Sequence, residues 1–205
     1  MAVGHVEVLV EEPSMEAALR VLLPRLLTGT SFEVYPYQCK NDLIRKLPER
    51  LKGYSSWLPA DWRIVVLVDR DDDDCRTLKR QLDQIATDAG MCIRTMAGSG
   101  NYQVLNRLVI EELEAWYFGD WNAVRAAYPR VPVTIPRSAS FRDPDMIQGG
   151  TWEAFERVLR KAGYFKSGLR KIEAARSIAQ HWKPDANCSH SFGVFRDGLR
   201  EMIVG

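Results

Sequence analysis

The amino-acid sequence predicts an α/β fold: a mostly parallel sheet flanked by helices, with a helical C-terminal extension. Three observations carry that expectation. Ile64-Val65-Val66-Leu67-Val68 is a short, largely β-branched apolar run, as found in strands buried on both faces. The first half of the chain alternates such runs with segments whose apolar residues recur at helical spacing. The buried run then stops at Asp69-Arg70-Asp71-Asp72-Asp73-Asp74, where an open α/β sheet places its ligands.

Val6-Glu7-Val8-Leu9-Val10 reads as the first strand. Glu11-Glu12-Pro13-Ser14 follows, with Ser14 the expected N-cap of a helix over residues 15–27. There Ala18, Leu19, Leu22, Leu23 and Leu26 form an apolar face, and Pro24 is expected to kink the helix or end it early. Phe32-Glu33-Val34-Tyr35-Pro36-Tyr37 reads as a second strand, with Pro36 favouring an edge or a terminus. Residues 41–52, carrying Leu43, Ile44, Leu47 and Leu51, read as a helix interrupted by Pro48.

Beyond the acidic turn, Leu78, Leu82, Ile85 and Ala86 mark a helix over residues 77–89, capped by Gly90. Met91-Cys92-Ile93-Arg94-Thr95-Met96 is expected as a fourth strand. Gly98-Ser99-Gly100 is expected as a loop, and it lacks the G-x-x-x-x-G-K-[ST] phosphate-binding pattern. Two readings stay open next: a short strand at Arg107-Leu108-Val109-Ile110 leading into a helix over residues 111–118, or one helix over residues 102–118. Four prolines between residues 128 and 144 read as an ordered loop or linker, and residues 151–159 and 168–182 read as helices. The expected division is an α/β core over residues 1–127, then a Pro-rich connection and basic helical region over residues 128–205 packed on that core.

Composition narrows the function. A chain of 205 residues can bury a full core. Its formal net charge of +1 means that any nucleic-acid face must be local. Residues 151–183 hold eight basic against three acidic side chains, among them Arg160, Lys161, Lys166, Arg170 and Lys171. A solvated helical face is the bland alternative; a lobe that receives a phosphodiester backbone is the sharper one. Cys39, Cys75, Cys92 and Cys188 match no zinc spacing and read as buried small apolar residues of a cytoplasmic protein. The opening segment is strand-like rather than a signal peptide. No apolar stretch approaches the roughly 18–20 residues that cross a bilayer, so no membrane partner is expected. His181 and His190 lack ligand-type spacing and read as structural or exposed.

Three acidic clusters each follow an apolar run: Glu11, Glu12 and Glu16; Asp69 and Asp71–Asp74; Glu111, Glu112 and Glu114, with Asp120 slightly later. If the strands carrying the first two clusters are parallel neighbours, both clusters share one sheet edge. So much negative charge calls for a cation or a basic partner. Hard divalent ions such as Mg2+ or Mn2+ take oxygen ligands of this kind, and such a set suits metal-assisted phosphodiester cleavage. A solvated turn capping the next helix is the plain alternative for the second cluster. An EF-hand fails, because its sixth and twelfth positions counted from Asp69 are Asp74 and Arg80. An aspartyl-phosphate phosphatase would use Asp69 as nucleophile and Asp71 as acid/base, but prefers Thr or Val where Asp73 stands. A receiver domain would use Glu11 and Glu12 with Asp69, yet no suitable lysine follows a fifth strand.

These residues resemble the Toprim fold of topoisomerases, primases and OLD-family nucleases, which pairs a glutamate after the first strand with a later D-x-D. Leu9-Val10-Glu11-Glu12-Pro13-Ser14-Met15-Glu16 is similar to the E-G-x-[ST]-E turn of OLD-type nucleases, and whether Glu11 or Glu12 leads is left open. Leu67-Val68-Asp69-Arg70-Asp71 matches the D-x-D. Leu113-Glu114-Ala115-Trp116 resembles the F-E-x-W element of RloB-like proteins, which implies Glu114 as a third acidic ligand. Together with Ser189-His190-Ser191-Phe192, these elements look like a Toprim-like family of unknown function found beside ABC-type ATPases in bacterial defence loci.

The resemblance implies a metal-dependent nuclease subunit. Glu11, Glu12, Asp69 and Asp71 would be catalytic, and Glu12, Glu16, Asp69, Asp71 and Glu114 would hold Mg2+ or Mn2+. Arg70 and the C-terminal cations would meet nucleic acid. An ABC- or AAA-type ATPase and a second copy of the chain (a homodimer) are the candidate protein partners. A non-catalytic adaptor with an acidic crest is the alternative from a different class.

Overall fold

The computed structural model of the chain describes residues 2–97 and 102–204. Four strands, β1 (His5–Val10), β2 (Ser31–Pro36), β3 (Trp62–Asp69) and β4 (Val104–Val109), form one sheet in the order β2-β1-β3-β4. All three pairings are parallel, with Val10 opposite Leu67 and Asp69 opposite Val109. Helices α1 (Pro13–Leu26), α2 (Lys40–Trp57) and α3 (Cys75–Asp88) follow the first three strands in turn. The short α4 (Arg94–Ala97) precedes β4, and α5 (Leu113–Gly119) and α6 (Trp121–Ala127) follow it. The C-terminal part holds α7 (Thr151–Lys161), α8 (Lys171–Ala179) and α9 (His190–Val204). The α/β architecture read from the alternation is therefore observed, and no described helix is long and apolar enough to cross a membrane.

Alternation along the strands divides the core. Val6, Val8, Val10, Val65 and Leu67 join α1, α5, α8 and α9 in one apolar cluster. Leu9, Ile64, Val66 and Val68 join α2 and α3 in the other. Strands buried on both faces need apolar residues at successive positions, which is why β3 reads as a continuous run. Helix α1 packs against α8 as well as the sheet. Its Leu19, Leu22 and Leu23 are fully buried, each contributing about 1.5–3 kcal/mol. Arg25 near its end donates to the carbonyls of Ala179, Gln180 and Trp182, capping the C-terminus of α8.

Several expectations need correction. Helices α1 and α2 run through Pro24 and Pro48. Both prolines are exposed, on the helix faces turned away from the core, where a missing N–H costs least. Ser14 is not the N-cap of α1: Glu12 takes that place and Pro13 opens the helix, its fixed φ suiting the first turn. Residues 91–96 do not form a strand. The place beside β3 is held by β4, so Ile93 makes one isolated bridge to Val104 and the chain turns into α4. The open choice over residues 102–118 resolves to strand then helix. The loop expected at Gly98–Gly100 lies outside the described residues. Cys39 and Cys188 are exposed and Cys75 and Cys92 half-buried, all free thiols, so the expectation of buried cysteines fails.

Candidate active site

The parallel register brings the three acidic clusters to one edge. Because β1 and β3 are neighbours, Glu11 and Asp69 leave adjacent strands, and the Glu11 carboxylate accepts from the Asp69 amide at 3.1 Å. Because β4 flanks β3, the Arg70 amide donates to Val109 O (2.8 Å) and the Asp71 amide to Glu111 O (3.0 Å). The chain reverses direction around β1, with β2 on one side and β3 on the other, and open α/β sheets bind ligands at such a switch point. Asp71 (φ 48°) and Glu111 (φ 61°), joined by that hydrogen bond, both have left-handed backbone. Such conformations are uncommon outside glycine and gather at functional sites.

The carboxylates differ sharply in setting. Asp69 is 3% exposed and its Oδ1 has no partner among the described residues. Burial, then the nearby Glu11, Glu12, Glu114 and Asp71, push its pKa well above the ordinary range. Glu114, on the first turn of α5, is 1% exposed with Oε2 likewise unpartnered. Burial raises it to about 7 against the opposing charge of Lys171. Burial also raises Glu11 to about 7, although the Asp69 amide pulls the other way. Glu12 accepts from the Ser14 hydroxyl and stands 3.8 Å from Lys171 Nζ.

Cations frame the cluster. Lys40, at the start of α2, places its ammonium 2.7 Å from both Asp71 and Asp73 and 3.1 Å from Arg70 O. Burial opposes its charge, but hydrogen bonds to these two aspartates outweigh it and raise its pKa. Arg70 pairs with Glu111 and donates to Asp71 O at 3.2 Å. Lys171, at the start of α8, lies 5.3 Å over the Trp152 ring. Burial opposes its charge too, yet Glu114, Glu12, Glu112 and Asp69 raise its pKa.

The structure thus gathers Glu11, Glu12, Asp69, Asp71, Glu114, Arg70 and Lys171. It pairs Glu16 instead with Arg20 (2.8 Å), which also reaches Glu33 and Val34 O of β2. Arg160, Lys161 and Lys166 face solvent, and Arg170 is exposed and pairs with Glu173 at 3.1 Å. Three acids of the sequence clusters are capping groups. Asp74 accepts from the Thr77 amide to cap α3, and Glu112 accepts from Thr151 and the Trp152 amide at the start of α7. Asp120 accepts from the Ala123 and Lys183 amides.

Lys40 and Tyr117 were missed by sequence reasoning. No spacing marks Lys40, because only the β2–β1–β3 order sets the start of α2 beside the acidic turn. Tyr117, three residues beyond Glu114, is buried with its hydroxyl unpartnered among the described residues; helical spacing could have flagged it. The Ser-x-Ser-Phe element proves structural. Asp145 accepts from Ser189 Oγ (2.8 Å), Ser191 N (2.8 Å) and Ser191 Oγ (3.0 Å), while Trp116 Nε1 donates to Ser191 Oγ at 2.9 Å. Trp116 also packs on Phe192 and Phe195, so this network seats α5, and with it Glu114, against α9.

The fit to a divalent cation can be judged from the donor atoms. Among the described residues, no three His, Cys, Asp or Glu side chains converge into a ready cage, and Lys40 holds Asp71. Yet the donors are all carboxylate oxygens, two of them buried and orphaned in Asp69 and Glu114, and buried charge of this kind demands a counter-ion. Oxygen donors of this kind are the type that a hard ion such as Mg2+ or Mn2+ takes.

A family model described as a domain of unknown function (DUF4276) matches residues 10–200. No curated protein matches the chain. Among solved structures, the C-terminal region of the Burkholderia pseudomallei OLD protein is similar, with TM-score 0.53 and 16% identity, covering 99% of each chain. The C-terminal region of the Xanthomonas campestris pv. campestris OLD protein gives TM-score 0.49 and 16% identity, covering 98% of this chain and 94% of that one. At such identity the first likeness is one of fold.

Proposed function

The chain belongs to the DUF4276 family, and from that premise we propose that it is a nuclease of Toprim type dependent on Mg2+ or Mn2+. The observation that carries this reading is the buried Asp69, its free oxygen set among Glu11, Glu12, Glu114 and Asp71 at the carboxyl edge of the sheet. Asp69, Asp71 and Glu114, with Glu11 or Glu12, would hold the ion. When bound, it supplies neutralisation of phosphate charge and activation of the attacking water.

The chain's own residues do the rest. The glutamate of the Glu11–Glu12 pair not engaged as a ligand accepts the water's proton. Lys171, held over Trp152 beside Glu12, presents a positive charge to the scissile phosphate. Lys40 fixes the acidic turn by bridging Asp71 and Asp73. In the hydrolysis a water oxygen bonds to phosphorus, the bond to the leaving sugar oxygen breaks, and that oxygen takes up a proton. Arg70 and the exposed C-terminal cations Arg160, Lys161, Lys166 and Arg170 contribute to holding nucleic acid. Motif resemblance supports a role as a defence effector working with an ABC- or AAA-type ATPase.

Calorimetric titration of Mn2+ into the wild-type chain and into Asp69→Asn tests the metal site. Saturable binding lowered at least tenfold by Asp69→Asn, with plasmid or tRNA cleavage lost in parallel, is the expected result. A folded wild-type chain that neither binds Mn2+ nor cuts either substrate would overturn it in favour of an adaptor.

A further inference from the structure

A second concentration of charge lies along β4. Among the described residues this strand lies at the sheet edge, paired with β3 on one side and with only the isolated Ile93–Val104 bridge on the other. Two hollows run beside it, about 450 and 930 Å³ in volume, and share Lys79, Asn106 and Arg107 in their linings. They form one groove. Its larger part is also bordered by Arg76, Arg80, Asp74 and Ile110. Asp74 ends the acidic turn and Ile110 precedes Glu111, so the groove opens beside the candidate active site.

Arg107 is buried, 7% exposed, and forms no ion pair among the described residues, although Asp83 and Glu201 line the smaller hollow: Nε donates to Val194 O (3.2 Å) and Nη1 to Asn106 O (3.1 Å). Its Nη2 has no partner among the described residues. A Cβ added to Gly198 of α9 would stand 2.5 Å from Nη2, so a helical glycine, which weakens α9, keeps room for the guanidinium. Burial, then nearby Arg94, depresses its pKa against the weaker pull of Glu201 and Asp83. Exposed Arg76 and Arg80 lie one turn apart on α3. Arg80 uses its donors on Arg76 O and Thr77 Oγ1, and Asp74, an acid that interacts with both arginines, is engaged in capping α3.

We propose that this groove is the track for a nucleic-acid backbone, with Arg76 and Arg80 on its rim and Arg107 at its floor. The proposal rests on the nuclease reading of the adjacent site and names where its substrate lies. Arginine forks match phosphate oxygens, and continuity with the carboxylate edge delivers the backbone to the ion-binding residues. An acidic peptide laid along β4 beyond the Ile93–Val104 bridge would meet the same cations but has no need of that continuity.

The test is fluorescence anisotropy of the full chain with a labelled 20-nucleotide single-stranded DNA and with tRNA, in EDTA to prevent cleavage. Arg76→Gln/Arg80→Gln is compared with Lys46→Gln/Lys52→Gln on α2, all four positions being exposed. The groove pair is expected to weaken binding at least fivefold and to lower the slope of log K against log salt by about 1–2. Mn2+ binding by calorimetry stays unchanged in both. Wild-type-like affinity in Arg76→Gln/Arg80→Gln, or no wild-type binding to either probe, overturns the track. Cleavage with Mn2+ that survives while the groove pair has no effect on binding retains the nuclease and discards the track. Groove-dependent binding without any Mn2+-dependent cleavage retains the track and discards the nuclease.

Discussion

Asp69, Glu11 and Glu114 store the clearest residue-scale consequence of the site. The pKa of Glu11 and of Glu114 rises from 4.5 to about 7 on folding, so the folded chain binds protons that the unfolded chain releases between those values. The stability tied to these protons is fully present below about pH 4.5 and lost as pH climbs through 7, a few kcal/mol in all. Asp42, Asp74, Asp185 and Asp197 are shifted downward, so their titration lies below this window. In EDTA, the melting temperature should therefore be higher at pH 5.5 than at pH 8. Asp69→Asn should flatten that difference, and Mn2+ should restore stability at pH 8 by about 2.7 kcal/mol at 100 times its Kd. Equal melting temperatures at the two pH values would contradict the buried-charge account. Lys40 adds a second prediction, since its ammonium competes with any ion for Asp71. Lys40→Gln should tighten Mn2+ binding a few-fold by calorimetry, and weaker binding would show that its hold on the acidic turn outweighs this competition.

At the scale of elements, α5 matters most. Seven residues make a helix too short to hold its own position. Glu114 stays at the sheet edge because Trp116 is gripped by Ser191, Phe192 and Phe195 and because Asp145 anchors both serines. Ser191→Ala removes an acceptor from Trp116 and a donor to Asp145, and should cost about 1–3 kcal/mol in urea unfolding. A smaller loss than about 0.5 kcal/mol would mean that the aromatic packing alone seats α5. The elements also show how far local pattern carries. Strands β1, β2 and β3, the helices after them, α7 and much of α8 are legible because their apolar residues keep strand or helix periods. Helix α9 was not legible, because Gly193, Gly198 and an opening Ser-His-Ser hide its period and its buried face is set by Trp116 and Trp182. The expected strand over residues 91–96 failed for a related reason: strand-like composition cannot report that β4 occupies the position beside β3.

Across the whole molecule, what makes a site of the acidic clusters is the order β2-β1-β3-β4, since parallel strands deliver all their carboxyl ends to one edge. The same order leaves β4 at the sheet edge and sets the basic groove next to the carboxylates. By itself, the sequence determined that this is an α/β protein with carboxylates at the ends of its strands, because strand burial and the turns that end strands are local properties of a few residues. Only the tertiary structure decided that Glu11 and Glu12 face Asp69 while Glu16 turns to Arg20. It alone decided that Lys40 bridges the acidic turn, that Asp74, Glu112 and Asp120 serve as caps, and that Ser189 and Ser191 seat Glu114. Most of these contacts join residues tens of positions apart. Their partners are chosen by strand register and core packing, which no short stretch of sequence contains.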